Sequence, residues 1–243
     1  MKLAGATVFI TGANRGIGLA FARHALALGA KTVYAGARDP KSVTLAGVVP
    51  VKLDVTNEAD VAAAAALAGD TTILINNAGV AVPRSFLAED AIAETRRELE
   101  TNFYGPLFMT RAFAPVLAKN GGGAIVNVLS IVSFINNPML GIYGATKTAA
   151  WGLTNSLRHD LRAQGTQVLA MHMAFVDTDL TKGFEAEKIT PDFAVERTLA
   201  ALEAGQEEVM VDPRTQMVHD NLTKSVYLLP PEAVRPPPVA KAA

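Results

Sequence analysis

Short β-branched runs alternate with longer alanine-rich helical stretches from about residue 6 to residue 212. The runs predict strands over 6–11, 31–36, 48–53, 71–76, 124–129, 167–175 and 208–212. Between them the sequence predicts helices over 16–28, 57–67, 90–119, 143–164 and 192–204, the third being two helices that meet around Asn102. Regular alternation of this kind predicts an α/β fold: a doubly wound, mostly parallel seven-stranded sheet with helices on both faces. Gly29 reads as the C′ glycine that ends the first helix, and Thr56 as the N-cap of the second. After residue 212 the pattern stops. The stretch from Pro230 to Pro238 holds five prolines and reads as an extended tail, with 230–243 outside the folded array.

Composition narrows the class. The chain has 243 residues, half of them hydrophobic, and fits one domain over 1–243 with no linker or repeat inside it. Its 22 basic and 23 acidic residues nearly cancel and form no Lys/Arg-rich run, which argues against nucleic acid or a membrane surface as partner. The expected partners are small molecules or copies of the chain itself. There is no cysteine, so disulfides, thiolate metal sites and Cys nucleophiles are excluded. Strand-like residues Ala6 to Ile10 begin almost at Met1 and no run reaches membrane-span length, giving the expectation of a cytoplasmic protein without a signal peptide. His24, His159, His172 and His219 lack metal-ligand spacing, and Asp177 and Asp179 read as turn caps, so no metal is expected.

Two constellations carry chemistry. Tyr143 and Lys147 stand four residues apart on a predicted helix and so share a face, with Ser130 at the end of an apolar run thirteen residues before Tyr143. A cation beside a phenol lowers its pKa, which suits Tyr143 to proton transfer, and Ser130 can polarise a carbonyl or alcohol oxygen between them. The second is Thr11-Gly12-Ala13-Asn14-Arg15-Gly16-Ile17-Gly18, where the first strand turns into the first helix. Glycines there let the backbone approach a pyrophosphate, and the helix N-terminus presents free N–H groups to it.

The spacing of Gly12, Gly16 and Gly18, the run Asn76-Asn77-Ala78-Gly79, Asn102, Ser130 and Tyr143-x-x-x-Lys147 together resemble the short-chain dehydrogenase/reductase family, compact single-domain type, over about residues 5–212. That resemblance implies a Rossmann-like fold and a catalytic tetrad of Asn102, Ser130, Tyr143 and Lys147. Tyr143 would be general acid in reduction and base in oxidation; Lys147 would lower its pKa and bind the nicotinamide ribose. Ser130 would fix the substrate carbonyl, and the Asn102 backbone would hold a relay water. Gly12, Asn14, Arg15, Gly16, Ile17, Gly18, Asp54, Val55, Asn77, Ala78, Gly79, Val176 and Thr178 would meet the cofactor. Family members selective for NAD carry an acid after the second strand; here stand Ala37-Arg38, and with Arg15 they imply NADP(H).

One departure stands out. Where many members have Pro-Gly beside the nicotinamide, this chain has Met173-Ala174. The expected substrate pocket is apolar, drawn from Ile131, Val132, Phe134, Ile135, Met139, Leu140, Phe175 and Phe184 beside Ser130 and Tyr143. The function expected is reduction of a ketone or aldehyde by NADPH. An NAD-linked secondary-alcohol dehydrogenase and a non-catalytic cofactor sensor on the same fold are the alternatives. The family habit of pairing through two long helices, here about 102–119 and 143–164, implies a homotetramer or homodimer. Ala145, Ala149, Ala150 and Gly152 would permit that close packing.

Overall fold

A computed structural model describes residues 1–230 and Val234; the other residues of the proline-rich tail expected at 230–243 lie outside the described part. Seven strands form one sheet: β1 (Thr7–Thr11), β2 (Thr32–Ala37), β3 (Val49–Lys52), β4 (Ile73–Asn76), β5 (Ala124–Val128), β6 (Gln167–His172) and β7 (Glu208–Met210). Their order is β3-β2-β1-β4-β5-β6-β7, and every neighbouring pair is parallel. The helices are α1 (Gly16–Ala27), α2 (Glu58–Leu67), α3 (Ala91–Leu99), α4 (Gly105–Lys119), α5 (Gly141–Asp160), α6 (Pro191–Glu203) and α7 (Pro213–Asp220).

Strands covered on both faces need apolar residues at successive positions, and β1, β4 and β5 are buried along their whole length. Alternation then sorts the side chains. Val8, Ile10, Ile73, Ile75 and Val126 meet α1 and α6 on one face with Phe21, Leu199 and Leu202. Phe9, Leu74 and Ile125 meet α2, α4 and α5 on the other with Phe113, Leu117 and Leu157. Each such side chain contributes roughly 1.5–3 kcal/mol of burial, so the pattern read from the sequence is also the main stabilising term. The chain leaves β1 toward β2 on one side and enters β4 on the other, which opens a crevice at the carboxyl ends of these two strands.

Four local expectations change. The N-cap of α2 is Asn57, whose Oδ1 accepts the Ala59 and Asp60 N–H groups at 2.9 and 3.1 Å; Thr56 instead gives its hydroxyl and N–H to Asp54. Strand β6 stops at His172 because the Ala174 N–H turns aside to Asp212 Oδ2 at 2.8 Å. The polar α7 was not foreseen, and it is capped by the same Asp212, which accepts the Thr215 N–H at 2.9 Å. Between α3 and α4 the residues Glu100–Tyr104 form a π-turn in which Gly105 N–H reaches the Glu100 carbonyl. Pro106 has no N–H to give the Asn102 carbonyl four residues before it, and this local chemistry favours opening the helix there. Gly29, with φ +81°, ends α1 as expected.

Asn57→Ala should lower the unfolding free energy by about 1 kcal/mol in urea titration, the usual value of a lost N-cap. Thr56→Val should change it by markedly less.

Candidate active site

At the carboxyl edge of the sheet lies a cavity of about 610 Å³ that runs from the glycine turn to α7. Every residue expected from the sequence to serve catalysis or the cofactor borders it except Gly18 and Asn102. These two act from behind the wall. A methyl group on Gly18 would strike the Gly12 carbonyl oxygen, so this glycine lets α1 pack on the end of β1. Gly16 takes φ +54° and faces Thr178, a backbone angle that L side chains rarely adopt. The first turn of α1 holds no acidic residue, and Arg15 at its N-cap makes no capping bond. Its N–H groups are therefore open to an anion, and the residues present fit the pyrophosphate of a dinucleotide.

The loop after β4 is tied to that turn. Asn77 Nδ2 donates to the carbonyls of Thr11 and Gly12 at 2.9 and 3.2 Å, and the N–H groups of Asn77 and Ala78 both meet the Thr11 hydroxyl at 2.9 Å. Asn77 thus borders the cavity but spends its amide on the glycine turn. Behind it, Asn76 Nδ2 donates to Asn127 Oδ1 at 2.9 Å and Asn127 Nδ2 to Thr154 Oγ1 at 3.0 Å, a polar chain through the core from β4 to α5.

Ser130, Tyr143 and Lys147 converge on one wall. Ser130 Oγ accepts the Val132 N–H at 3.3 Å and lies 3.4 Å from the Met173 carbonyl. Lys147 is buried, and its Nζ donates to the Val128 carbonyl at 2.8 Å, 5.7 Å from the centre of the Tyr143 ring. Burial pulls the ammonium down to about 8, while the Glu98 charge pulls it back up. Against the expectation, the Tyr143 phenol is held above its ordinary value: burial disfavours the phenolate, Glu98 adds to the effect, and a Ser130 hydrogen bond opposes both. Lys147 does not reverse this because burial lowers it to about 8, so it has lost its charge before the phenol can ionise. Asn102 is buried; its Oδ1 accepts the Val80 N–H at 2.9 Å, and its Nδ2 donates to the Val80 carbonyl at 2.8 Å and Thr146 Oγ1 at 2.9 Å.

The wall beside Tyr143 is apolar at Val132, Leu140, Phe175 and Phe184, with the last two rings 5.5 Å apart. Phe134 does not join it, being stacked 4.3 Å from His172, and Met139 is exposed. At the other end Arg38 and Arg15 both border the cavity. Two acids accompany them. Asp39, which the sequence reading passed over, turns Oδ1 back to the Lys41 N–H at 2.9 Å, and Asp179 Oδ2 meets Arg15 Nη1 at 2.9 Å instead of capping a turn. The Arg15–Asp179 pair is exposed on both sides and holds Arg15 weakly. Asp54 borders the cavity with Oδ1 engaged by Thr56.

The sequence reading also assigned no role to Glu98 or His172. His172 is buried, with Nδ1 3.3 Å from the Ser130 carbonyl and Nε2 3.2 Å from Glu208, so it braces the backbone under Ser130. Ala174 and Met173 replace the rigid Pro-Gly with a clasp: Met173 offers its carbonyl to the Ile131 N–H at 2.8 Å, and Ala174 is held by Asp212. Arg214, on α7, also lines the cavity. Among the described residues no group of His, Cys, Asp and Glu could hold a metal ion, and no helix is long and apolar enough to cross a membrane.

Comparison with known proteins gives the family and agrees with the fold. The chain matches the family described as short chain dehydrogenase over residues 6–189. It is 36% identical over 203 residues to the short chain dehydrogenase tazN of Aspergillus terreus, a stretch covering 76% of this chain and 44% of that protein. The chain thus spans less than half the length of this fungal relative. A short chain dehydrogenase from Burkholderia cenocepacia J2315 in complex with NADP has a TM-score of 0.90 and 36% identity, over 95% of this chain and 100% of that one. A short chain dehydrogenase/reductase from Burkholderia phymatum in complex with NAD has a TM-score of 0.80 and 26% identity, over 93% and 96%. The chain belongs to the short-chain dehydrogenase/reductase family, oxidoreductases that act on small molecules with a nicotinamide cofactor.

Proposed function

We propose that the chain, as one catalytic domain, reduces a ketone or aldehyde to its alcohol with NADPH. The observation that carries this reading is the convergence of Ser130, Tyr143 and Lys147 on the wall of a cavity whose far end is the glycine turn. When bound, the reduced nicotinamide supplies the hydride to the carbonyl carbon. Ser130 donates a hydrogen bond to the substrate oxygen, and Tyr143 gives that oxygen its proton. Burial keeps Tyr143 in the protonated form that reduction requires near neutral pH, while making it a weaker acid than a free phenol. Lys147 binds the ribose hydroxyls and returns a proton to Tyr143, supplied through a relay at the Asn102 carbonyl. The apolar wall of Val132, Leu140, Phe175 and Phe184 suits an apolar substrate.

Arg38 and Arg15 support NADP(H) over NAD(H), since both can grip a 2′-phosphate and the Asp39 carboxylate is turned toward Lys41. The NAD-bound Burkholderia phymatum relative favours the second reading, an NAD-linked secondary-alcohol dehydrogenase. Steady-state kinetics with both cofactors decides between them. NADPH should be preferred at least about tenfold, because each charge-assisted contact is worth roughly 1.5–3 kcal/mol. Replacing both Arg15 and Arg38 by Ala should remove the preference through the cofactor KM; equal or better kinetics with NADH in the parent would overturn it.

Tyr143→Phe deletes one oxygen and leaves the ring in place, so turnover on an active ketone should fall at least ~10²-fold, the usual contribution of a positioned acid. NADPH affinity, followed by fluorescence, should persist. Near-normal turnover would sink the mechanism.

We also propose a homodimer or homotetramer joined through α4 and α5. Gly152 is exposed with open space beside it, and Tyr104, at the start of α4, is exposed too, whereas Ala150 faces the sheet and drops out of the expected interface. Light scattering at micromolar concentration should give twice or four times the chain mass, and Gly152→Arg should lower it.

A further inference from the structure

Residues 94 to 100 read Glu-Thr-Arg-Arg-Glu-Leu-Glu, a run that in sequence looks like a solvated helix face. Glu98 breaks that rule, because none of its surface reaches solvent. Its Oε1 accepts the Val82 N–H at 2.8 Å, while Oε2 is buried and has no partner among the described residues. One turn later Asn102 holds Val80 through both backbone groups. The loop from Gly79 to Pro83, a wall of the cofactor cleft, is therefore clasped at two points by one helical stretch. That stretch packs against α5, which carries Tyr143 and Lys147.

We propose that Glu98 is a positioning residue of the active site, whose carboxyl fixes the cleft loop through Val82 and whose protonation state sets the charge felt by Tyr143 and Lys147. A carboxylate with one bare oxygen in a closed site is costly, so the proton is retained well above the usual range. Burial lifts Glu98 to about 7 and Glu94 pushes the same way; Arg97 on its own helix and Lys147 on α5 pull back. Arg84, the other cation of the neighbouring loop, is paired with Asp90 at 3.3 Å. Once ionised, Glu98 raises Tyr143 and Lys147 alike, so the phenol stays protonated to higher pH.

The kinetic part rests on the reductase reading; the binding and unfolding parts do not. Glu98→Gln keeps an oxygen for the Val82 N–H and loses the titration, whereas Glu98→Leu loses both. Isothermal titration with NADPH should show near-parental affinity for Glu98→Gln and about fivefold weaker binding for Glu98→Leu, the equivalent of one lost hydrogen bond. In urea, the parent should lose stability as pH rises from 4.5 to about 7, because the folded chain keeps a proton that the unfolded chain has released. Glu98→Gln escapes this loss, so its stability relative to the parent should grow across that window and level off above it. On an active ketone, the alkaline fall in reduction, set by loss of the Lys147 proton near 8, should move down by about half a pH unit in Glu98→Gln, since the charge that helps hold that proton is gone. A merely structural residue would leave that limb unmoved. Unchanged NADPH affinity in Glu98→Leu, a pH-independent stability difference, or an unmoved limb each overturn the corresponding part of the proposal. A parent that reduces no carbonyl compound fails the reductase reading alone, and the first two measurements still decide the assignment of Glu98. Should Glu98→Leu not fold, Glu98→Gln decides through unfolding and the pH limb.

Discussion

Burying the ammonium of Lys147 is the constraint around which the site is arranged. A cation taken out of water needs a fixed acceptor, and the Val128 carbonyl receives it at 2.8 Å at the very end of β5. A strand-end carbonyl is available for this purpose because the ladder no longer uses it. The dry environment that weakens the ammonium also resists ionisation of Tyr143 beside it, so one act of burial tunes both groups in opposite senses. The Lys147 charge then depends on what surrounds it as much as on the tyrosine it serves.

The sheet makes such convergence cheap to specify. All seven strands are parallel, so every strand ends on one edge, and residues far apart in sequence arrive at one place without long loops. Thr11, Asn77, Ser130 and Thr178 come from four different strand ends. The hydrogen bonds between Thr11 and the loop after β4 are a short-range consequence of that edge, with the Thr11 hydroxyl receiving the N–H groups of both Asn77 and Ala78. Replacement of Pro-Gly by Met173-Ala174 is absorbed in the same way: Asp212 restrains a backbone that a proline ring would have fixed.

What the sequence made legible was whatever is local. β-Branched runs, the Gly12–Gly18 turn and the Tyr143–Lys147 spacing each carry their structure within a few residues, and most strand and helix limits shifted by a residue or two, the ends of β6 and α5 coming earlier, at His172 and Asp160, than the expected 175 and 164. What stayed hidden depends on tertiary surroundings. Glu98 sits in a charged run and is buried only because α5 and the cleft loop close over it. His172 occupies an ordinary strand position and acquires its role from Glu208, the first residue of β7, and from the Ser130 carbonyl. The cap moved from Thr56 to Asn57 because Asp54 was free to take the threonine hydroxyl. Helix α7 is polar and short, and its start is fixed by Asp212, a residue already engaged with Ala174.

The π-turn at Glu100–Tyr104 gives the molecule an uneven tolerance of deletions. An α-helix advances about 100° per residue, so the extra residue in that turn fixes the phase between α3 and α4. Straightening that turn with all its residues kept would swing the whole of α4 by about that angle, and Phe113 and Leu117 would leave the sheet. The irregularity that looks like a local defect is a phase-setting joint: it absorbs one residue, so deleting Thr101 would close the helix and leave α4 seated, whereas the same deletion inside α4 would turn every later side chain away from its place.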